Sequence, residues 1–219
     1  MRPTVAVLID GGFFLKKYYS LYIGADFHNA DSIARNIYKA AIKHVAPDYE
    51  LYRIFYYDCF PLNKKVHNPI SRKSIDFSKT DIYRLRLALF EELKKKRKVA
   101  LRLGHIKDSG GWQIYPSKVK ALLRGEIAFD EIKDKDIFYE MRQKGIDMKI
   151  GIDIASLSLK KQVNRIVLIS GDEDFVPASK LARREGIDFI LDPLWNPIDP
   201  NLFEHIDGLN STSPKPVKK

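Results

Sequence analysis

The hydrophobic pattern of the chain switches between a continuous run, a helical period and a strand period, in regular alternation. TVAVLID, at 4–10, is β-branched and apolar throughout, which predicts a strand buried on both faces of a parallel sheet. Gly11 and Gly12 follow it. From Asp31, DSIARNIYKAAIKHV sets Ile33, Ile37, Ala41 and Val45 at helical spacing, with Asp31 or Ser32 as cap and Pro47 as stop. YELYRIFYYDCF predicts a second, aromatic-rich strand. The stretch 61–79 holds prolines and basic residues without a period, so a long loop is expected there. TDIYRLRLALFEELKKKRK predicts a helix capped by Thr80 or Asp81, with Ile82, Leu85, Leu89 and Leu93 on one face.

VALRLGHIK alternates as a third strand, and GGWQIYPSK after it suggests a hairpin arm, so an insertion is expected around 104–140. Val119 to Met141 is expected to be mostly helical. The second half of KGIDMKIGIDIASLSLKKQ is helical in pattern, NRIVLISG is a fourth strand, DFVPASKLARREG a helix ended by Gly186, and IDFILDP a fifth strand. This alternation calls for an α/β fold: a doubly wound, mainly parallel sheet of about five strands in the order 3-2-1-4-5, with helices on both faces. A single domain over 1–209 and a disordered basic tail over 210–219 are expected. In such sheets ligands sit beyond the carboxyl ends of the strands, where the strand order reverses.

Charge then narrows the partner. Lys and Arg number 38 against 28 Asp and Glu, a net charge of +10, which favours a polyanion, either nucleic acid or an anionic membrane surface. The apolar start is too short for a signal peptide or a membrane span, so cytoplasmic residence without a membrane partner is expected. Cys59 is the single cysteine and the five histidines are far apart, which excludes an intramolecular disulfide and a cysteine-based zinc site. Walker A, GxSxG and GxGxxG motifs are absent, arguing against nucleotide hydrolysis, serine hydrolysis and dinucleotide binding.

Within this basic chain, carboxylates gather where strands should end. Asp10 closes the first strand, while Asp172 and Asp174 follow the fourth in LISGDEDF. Asp153 is placed at the opening of the helix that leads into the fourth strand, with Asp147 six residues before it. Singly, Asp10, Asp153 and Asp174 suit helix caps. Jointly they repel unless a cation lies between them. Oxygen ligands without His or Cys select a hard ion, Mg²⁺ or Mn²⁺, over zinc.

VLIDGGF, KGIDMKIGIDIAS, VLISGDEDFVPASKLARREG and DFILDP together resemble the NYN domains of the LabA-like type, in the PIN-like nuclease superfamily, over about Thr4 to Asp192. The resemblance implies a PIN-like fold and a metal-dependent ribonuclease, expected to be an endonuclease leaving a 5′-phosphate. It matches Asp10, Asp153, Asp172 and Asp174 to the family's acidic metal-binding positions, the catalytic set, and Asp147 to the aspartate of its KGxD motif. One position departs from the pattern: Phe13 stands where many relatives carry an asparagine that orients the site or the substrate.

Lys16, Lys17, Lys64, Lys65, Arg72, Lys73 and Lys144 are candidates for a basic rim that binds the nucleic-acid backbone. Tyr18, Tyr19, Tyr22, Tyr56 and Tyr57 suit either base stacking or a core, and an exposed tyrosine face would permit a homodimer. RNA, single-stranded or structured, is the expected partner, and DNA stays open because nothing here reports on a 2′-hydroxyl. The alternative function is a non-catalytic RNA-binding or regulatory module that retains the acidic metal pocket.

Overall fold

In a computed structural model, residues 2–216 are described. The elements run β1 (Thr4–Asp10), α1 (Gly11–Leu21), α2 (Ala30–Ile42), β2 (Glu50–Cys59), β3 (Lys65–His67), β4 (Ser74–Asp76), α3 (Asp81–Lys94) and β5 (Val99–Ile114). They continue with α4 (Pro116–Leu123), β6 (Ile137–Lys144), α5 (Ile146–Leu159), β7 (Arg165–Ile169), α6 (Val176–Arg184), β8 (Asp188–Asp192), α7 (Pro200–Phe203) and β9 (Gly208–Leu209).

One seven-stranded sheet organises them, in the order β6-β5-β2-β1-β7-β8-β9, parallel throughout except where β6 joins β5. The expected count of about five strands is therefore corrected. The five expected strands fill the interior, while β6 and the two-residue β9 are added at the edges, so the complete order is longer than 3-2-1-4-5. Both additions lack an apolar alternation strong enough to read: β6 carries EMRQK in its exposed half, and β9 is Gly208 and Leu209 alone.

The run that predicted β1 has the expected physical cause. Val5, Val7 and Ile9 face a core shared with α1, α2 and α3, while Ala6 and Leu8 face one shared with α5 and α6, and all five have no exposed surface. Burial on both faces leaves no polar side, and each larger aliphatic contributes about 1.5–3 kcal/mol. On α2, Ile33, Ile37 and Ala41 are buried as their spacing requires. Its cap is Asn29, whose Oδ1 accepts from the Ser32 N–H at 3.0 Å, in place of Asp31 or Ser32.

Thr80 caps α3, its Oγ1 accepting from the Tyr83 N–H at 3.2 Å. Leu89 and Leu93 are buried on that helix, but Ile82 is 71% exposed and lies outside the core. The basic run at its end is largely taken up by acids of the same surface: Lys94 meets Glu91, Lys95 meets Glu92, Lys96 meets Asp31 and Lys98 meets Glu50.

Three other expectations change. The loop at 61–79 contains the small antiparallel hairpin β3–β4. The segment 119–141 is α-helical only through Leu123, with single 3-10 turns at Phe129–Glu131 and Asp134–Asp136; from Ile137 it is strand, and with the long β5 it forms a hairpin arm continuous with the main sheet. The tail is tied down as far as Ser213: Thr212 Oγ1 donates to the Ala40 carbonyl at 2.8 Å, and Trp195 Nε1 donates to the Ser213 carbonyl at 3.0 Å. Its last three residues lie outside the described residues. Among the described residues no helix is long and apolar enough to cross a membrane.

Candidate active site at the carboxyl edge of the sheet

The connections leave β1 towards β2 on one side, and β7 continues to β8 on the other, so the switch point lies between β1 and β7. Ile9 pairs with Ile169, which sets Asp10 beside the Ser170-Gly171-Asp172 turn. Asp10, Phe13, Ser170, Gly171, Asp172, Glu173 and Asp199 line an open cleft of about 340 Å³ there.

Each carboxylate is positioned by local structure. Asp10 ends β1 and caps α1, its Oδ1 accepting from the Phe13 N–H at 3.0 Å. Asp172 caps the single helical turn Glu173–Phe175, accepting from the Asp174 N–H at 3.0 Å, and that turn leads into α6. Asp147 lies in the first turn of α5, entered through Gly145 in the left-handed region at φ 77°.

The acids sense one another. Burial raises Asp10 to about 6, and the neighbouring charges of Asp147 and Asp58 add to the shift against the N–H groups of Phe13 and Gly12. Asp147 is raised too, first by partial burial, then by Asp172 and Asp174. Asp10, Asp147, Asp172 and Asp174 thus share one electrostatic field, and among the described residues none of them has an ion-pair partner.

Asp153 is placed differently. It does not open α5 but sits in its third turn, where its Oδ2 accepts from Tyr57 Oη at 2.7 Å and from Arg102 Nε at 3.0 Å.

Sequence reasoning missed Asp58, near the carboxyl end of β2. It is fully buried, pairs with Arg86 Nη1, and accepts from the Cys59 N–H at 2.8 Å, from Tyr56 Oη at 3.3 Å and from Gln143 Nε2 at 3.3 Å. The rule that placed Asp10 applies equally to the strand next to it, and the lone acid in FYYDCF was the available signal. Asp199, which caps α7 and lines the cleft, was also missed.

Phe13 occupies part of this region. A Cβ on Gly171 would come within 3.0 Å of its ring, so the ring lies directly against the Gly171 backbone. The basic candidates are scattered: Lys16 and Lys17 on α1, Lys64, Lys65, Arg72 and Lys73 around the β3–β4 hairpin, and Lys144 at the end of β6. Lys64 donates to Tyr139 Oη at 3.0 Å. Of the tyrosines, Tyr18, Tyr56 and Tyr57 are buried, Tyr18 stacks on Tyr22 at 4.7 Å, and Tyr19 is 61% exposed.

The side-chain donors lining the cleft are all oxygens, the carboxylates of Asp10, Asp172, Glu173 and Asp199 and the hydroxyl of Ser170, the kind of set a hard divalent ion takes. Among the described residues no three acids are drawn close enough to form a finished cage. The arrangement therefore fits a small ion held by one or two carboxylates that keeps several waters and completes its shell with phosphate oxygens, and not a fully protein-ligated one.

No curated protein matches the chain. Among solved structures it is similar to a protein of unknown function from Vibrio parahaemolyticus, at 12% identity, over 95% of this chain and 91% of that one, with a TM-score of 0.48. The NYN domain family model matches residues 87–193, which include Asp147, Asp153, Asp172 and Asp174 and exclude Asp10. That match supports an NYN domain in this chain, a PIN-like family whose members are generally nucleases.

Proposed function

We propose that this protein is a divalent-metal-dependent ribonuclease that hydrolyses RNA phosphodiesters at the cleft between β1 and β7. The observation that carries the reading is a pair of carboxylates, Asp10 and Asp172, lining the cleft at the switch point, with Asp147 acting electrostatically on Asp10 and sensing Asp172 and Asp174, and with no ion-pair partner for any of the four among the described residues, in a chain with a net charge of +10. Asp10 and Asp172, which line the same cleft, would hold Mg²⁺ or Mn²⁺, with Asp147 and Asp174 completing the field. When bound, the ion supplies Lewis-acid polarisation and neutralises charge on the phosphodiester.

The chain's own groups do the positioning. The Phe13 N–H fixes the Asp10 carboxylate, and the Asp174 N–H fixes that of Asp172, so each presents its other oxygen without a search through rotamers. Asp153 is left out of this set because Arg102 and Tyr57 already hold it. Lys16, Lys17 and Lys144, on elements that begin or end at this edge, would guide the backbone.

Phe13 favours a second reading, an RNA-binding module without turnover, because an aromatic ring lies in the cleft where a polar group would orient the substrate. One experiment separates the two. Wild type, Asp172→Asn and Asp153→Asn are incubated with end-labelled single-stranded RNA and DNA in Mn²⁺, Mg²⁺ and EDTA. Metal-dependent RNA cleavage should fall at least about 100-fold in Asp172→Asn, beyond the scale at which outer-shell partners act, and less than about tenfold in Asp153→Asn. Equal cutting by wild type and Asp172→Asn overturns the site, and RNA binding without any cutting selects the second reading.

A further inference from the structure

A second cavity adjoins the acidic cleft. It measures about 350 Å³, within the roughly 300–1,000 Å³ range of small-ligand pockets, and its walls include Phe77, Ile82, Tyr83 and Met141. Two of these apolar side chains are unusually open to solvent, Ile82 at 71% and Met141 at 45%. They come from different elements, the first turn of α3 and the middle of β6, and both line this cavity.

The polar lining is sparse and held in place. Asp58, with no exposed surface, anchors Arg86 and accepts from Gln143. Of the five guanidinium N–H donors of Arg86, a single one, on Nη1, meets a protein acceptor among the described residues, and the residue lines the cavity. Gln143 connects the two sites: its Oε1 would lie 2.9 Å from a Cβ on Gly12, the same Cβ would lie 3.4 Å from Asp10 Oδ1, and its Nε2 reaches Asp58. A ligand in this cavity is thus one side chain away from the acidic cleft.

We propose that this cavity is a nucleobase subsite, taking one unpaired base of the RNA strand whose phosphate lies at the acidic cleft; the inference rests on the ribonuclease reading above. A planar ligand with apolar faces and a hydrogen-bonding edge matches aromatic and aliphatic walls with a guanidinium and an amide among the lining groups. Arg and Gln are the side chains that pair with base edges, and unpaired bases are recognised by stacking together with edge contacts. Asp58 acts here as a positioning residue, holding Arg86 and Gln143 through its two oxygens.

The test measures binding in EDTA, so that it is independent of cleavage. The probes are a fluorescein-labelled single-stranded decamer RNA and ten versions of it, each with one base removed and its sugar-phosphate kept. With wild type, removal of one particular base should weaken binding roughly 5- to 100-fold, the scale of one stacked base, and the other removals far less. Ile82→Trp fills the mouth from α3, and Met141→Trp fills it from β6; each should reduce that penalty to less than about twofold. Leu123→Trp, exposed on α4 and lining neither cavity, should keep the full penalty.

A flat profile in wild type overturns the subsite, as does a profile unchanged by both tryptophans, or failure of the decamer to bind. The two proposals fail separately. An intact profile without metal-dependent cleavage sinks only the ribonuclease reading, and cleavage with a flat profile sinks only the subsite.

Discussion

Two sets of acids stand near the same edge of the sheet and are treated in opposite ways by the fold. Asp58 and Asp153 have cations and hydroxyls against them: Arg86 and Tyr56 for one, Arg102 and Tyr57 for the other. Asp10, Asp147, Asp172 and Asp174 have neighbouring carboxylates and backbone N–H groups instead. The first set is compensated by partners within the chain, although Asp58 still adds to the shift of Asp10. The second leaves a repulsion that a proton on Asp10 or an external cation relieves, and this separates structural acids from candidate ligands where sequence position alone does not.

The largest effect should come from breaking the closed set. Arg86→Met leaves Asp58 fully buried without its cation, and loss of one partner of a buried pair costs about 3–5 kcal/mol. Because the Arg86 side chain is 25% exposed, the lower end applies, about 3 kcal/mol, or roughly 6–12 °C in Tm for a domain of this size. Adding Asp58→Asn removes the stranded charge and should restore at least half of the loss in denaturant unfolding. If the double variant is no more stable than the single one, Arg86 acts through packing and the pairing of Asp58 is incidental.

That contrast was only half legible in the sequence. Strand-end acids after apolar runs were readable, since β1 and β7 are buried on both faces and the first acid at or beyond the end of each run marks the edge. Asp58 was hidden because its strand is aromatic and its acid precedes Cys59 and Phe60, which read as more core. Asp153 was grouped with the other acids because it was placed at the opening of its helix, and the family resemblance then matched it to a metal-binding position. Yet six residues at about 100° each turn the side chain by about 240°, which sets Asp147 and Asp153 on different faces of α5. β6 escaped because its exposed half carries the composition of a helix surface, and only pairing with β5 makes it a strand.

The open set makes the opposite prediction, a gain in stability. In the unfolded chain Asp10 loses its proton near 3.8, in the fold near 6. Below pH 4 both states are protonated and nothing is gained or lost. Between these values the folded state holds the extra proton, so stability falls as pH rises, and above pH 6 the full cost is present. Two units correspond to about 2–3 kcal/mol. Asp10→Asn keeps the cap on α1, because Asn caps as well as Asp, and should raise the metal-free Tm by roughly 4–10 °C at pH 8 and by little at pH 4. Saturating Mn²⁺ should stabilise wild type and shrink this gap, because an ion that binds only the folded state adds to its stability. A variant that gains nothing at pH 8 would place the cost of the cluster elsewhere.

The smallest effect tests whether Asp153 is rightly assigned to the closed set. Tyr57→Phe removes one hydrogen bond to a carboxylate that Arg102 still holds, and should cost about 1 kcal/mol in urea unfolding with RNA cleavage changed less than about threefold. The Arg102 side chain is 41% exposed, so its ion pair is screened and adds little to that figure. The informative failure is a stable Tyr57→Phe protein that no longer cuts. It would mean that the hydroxyl holds Asp153 for the chemistry, and that a carboxylate can have a partner in the fold and still belong to the reacting centre.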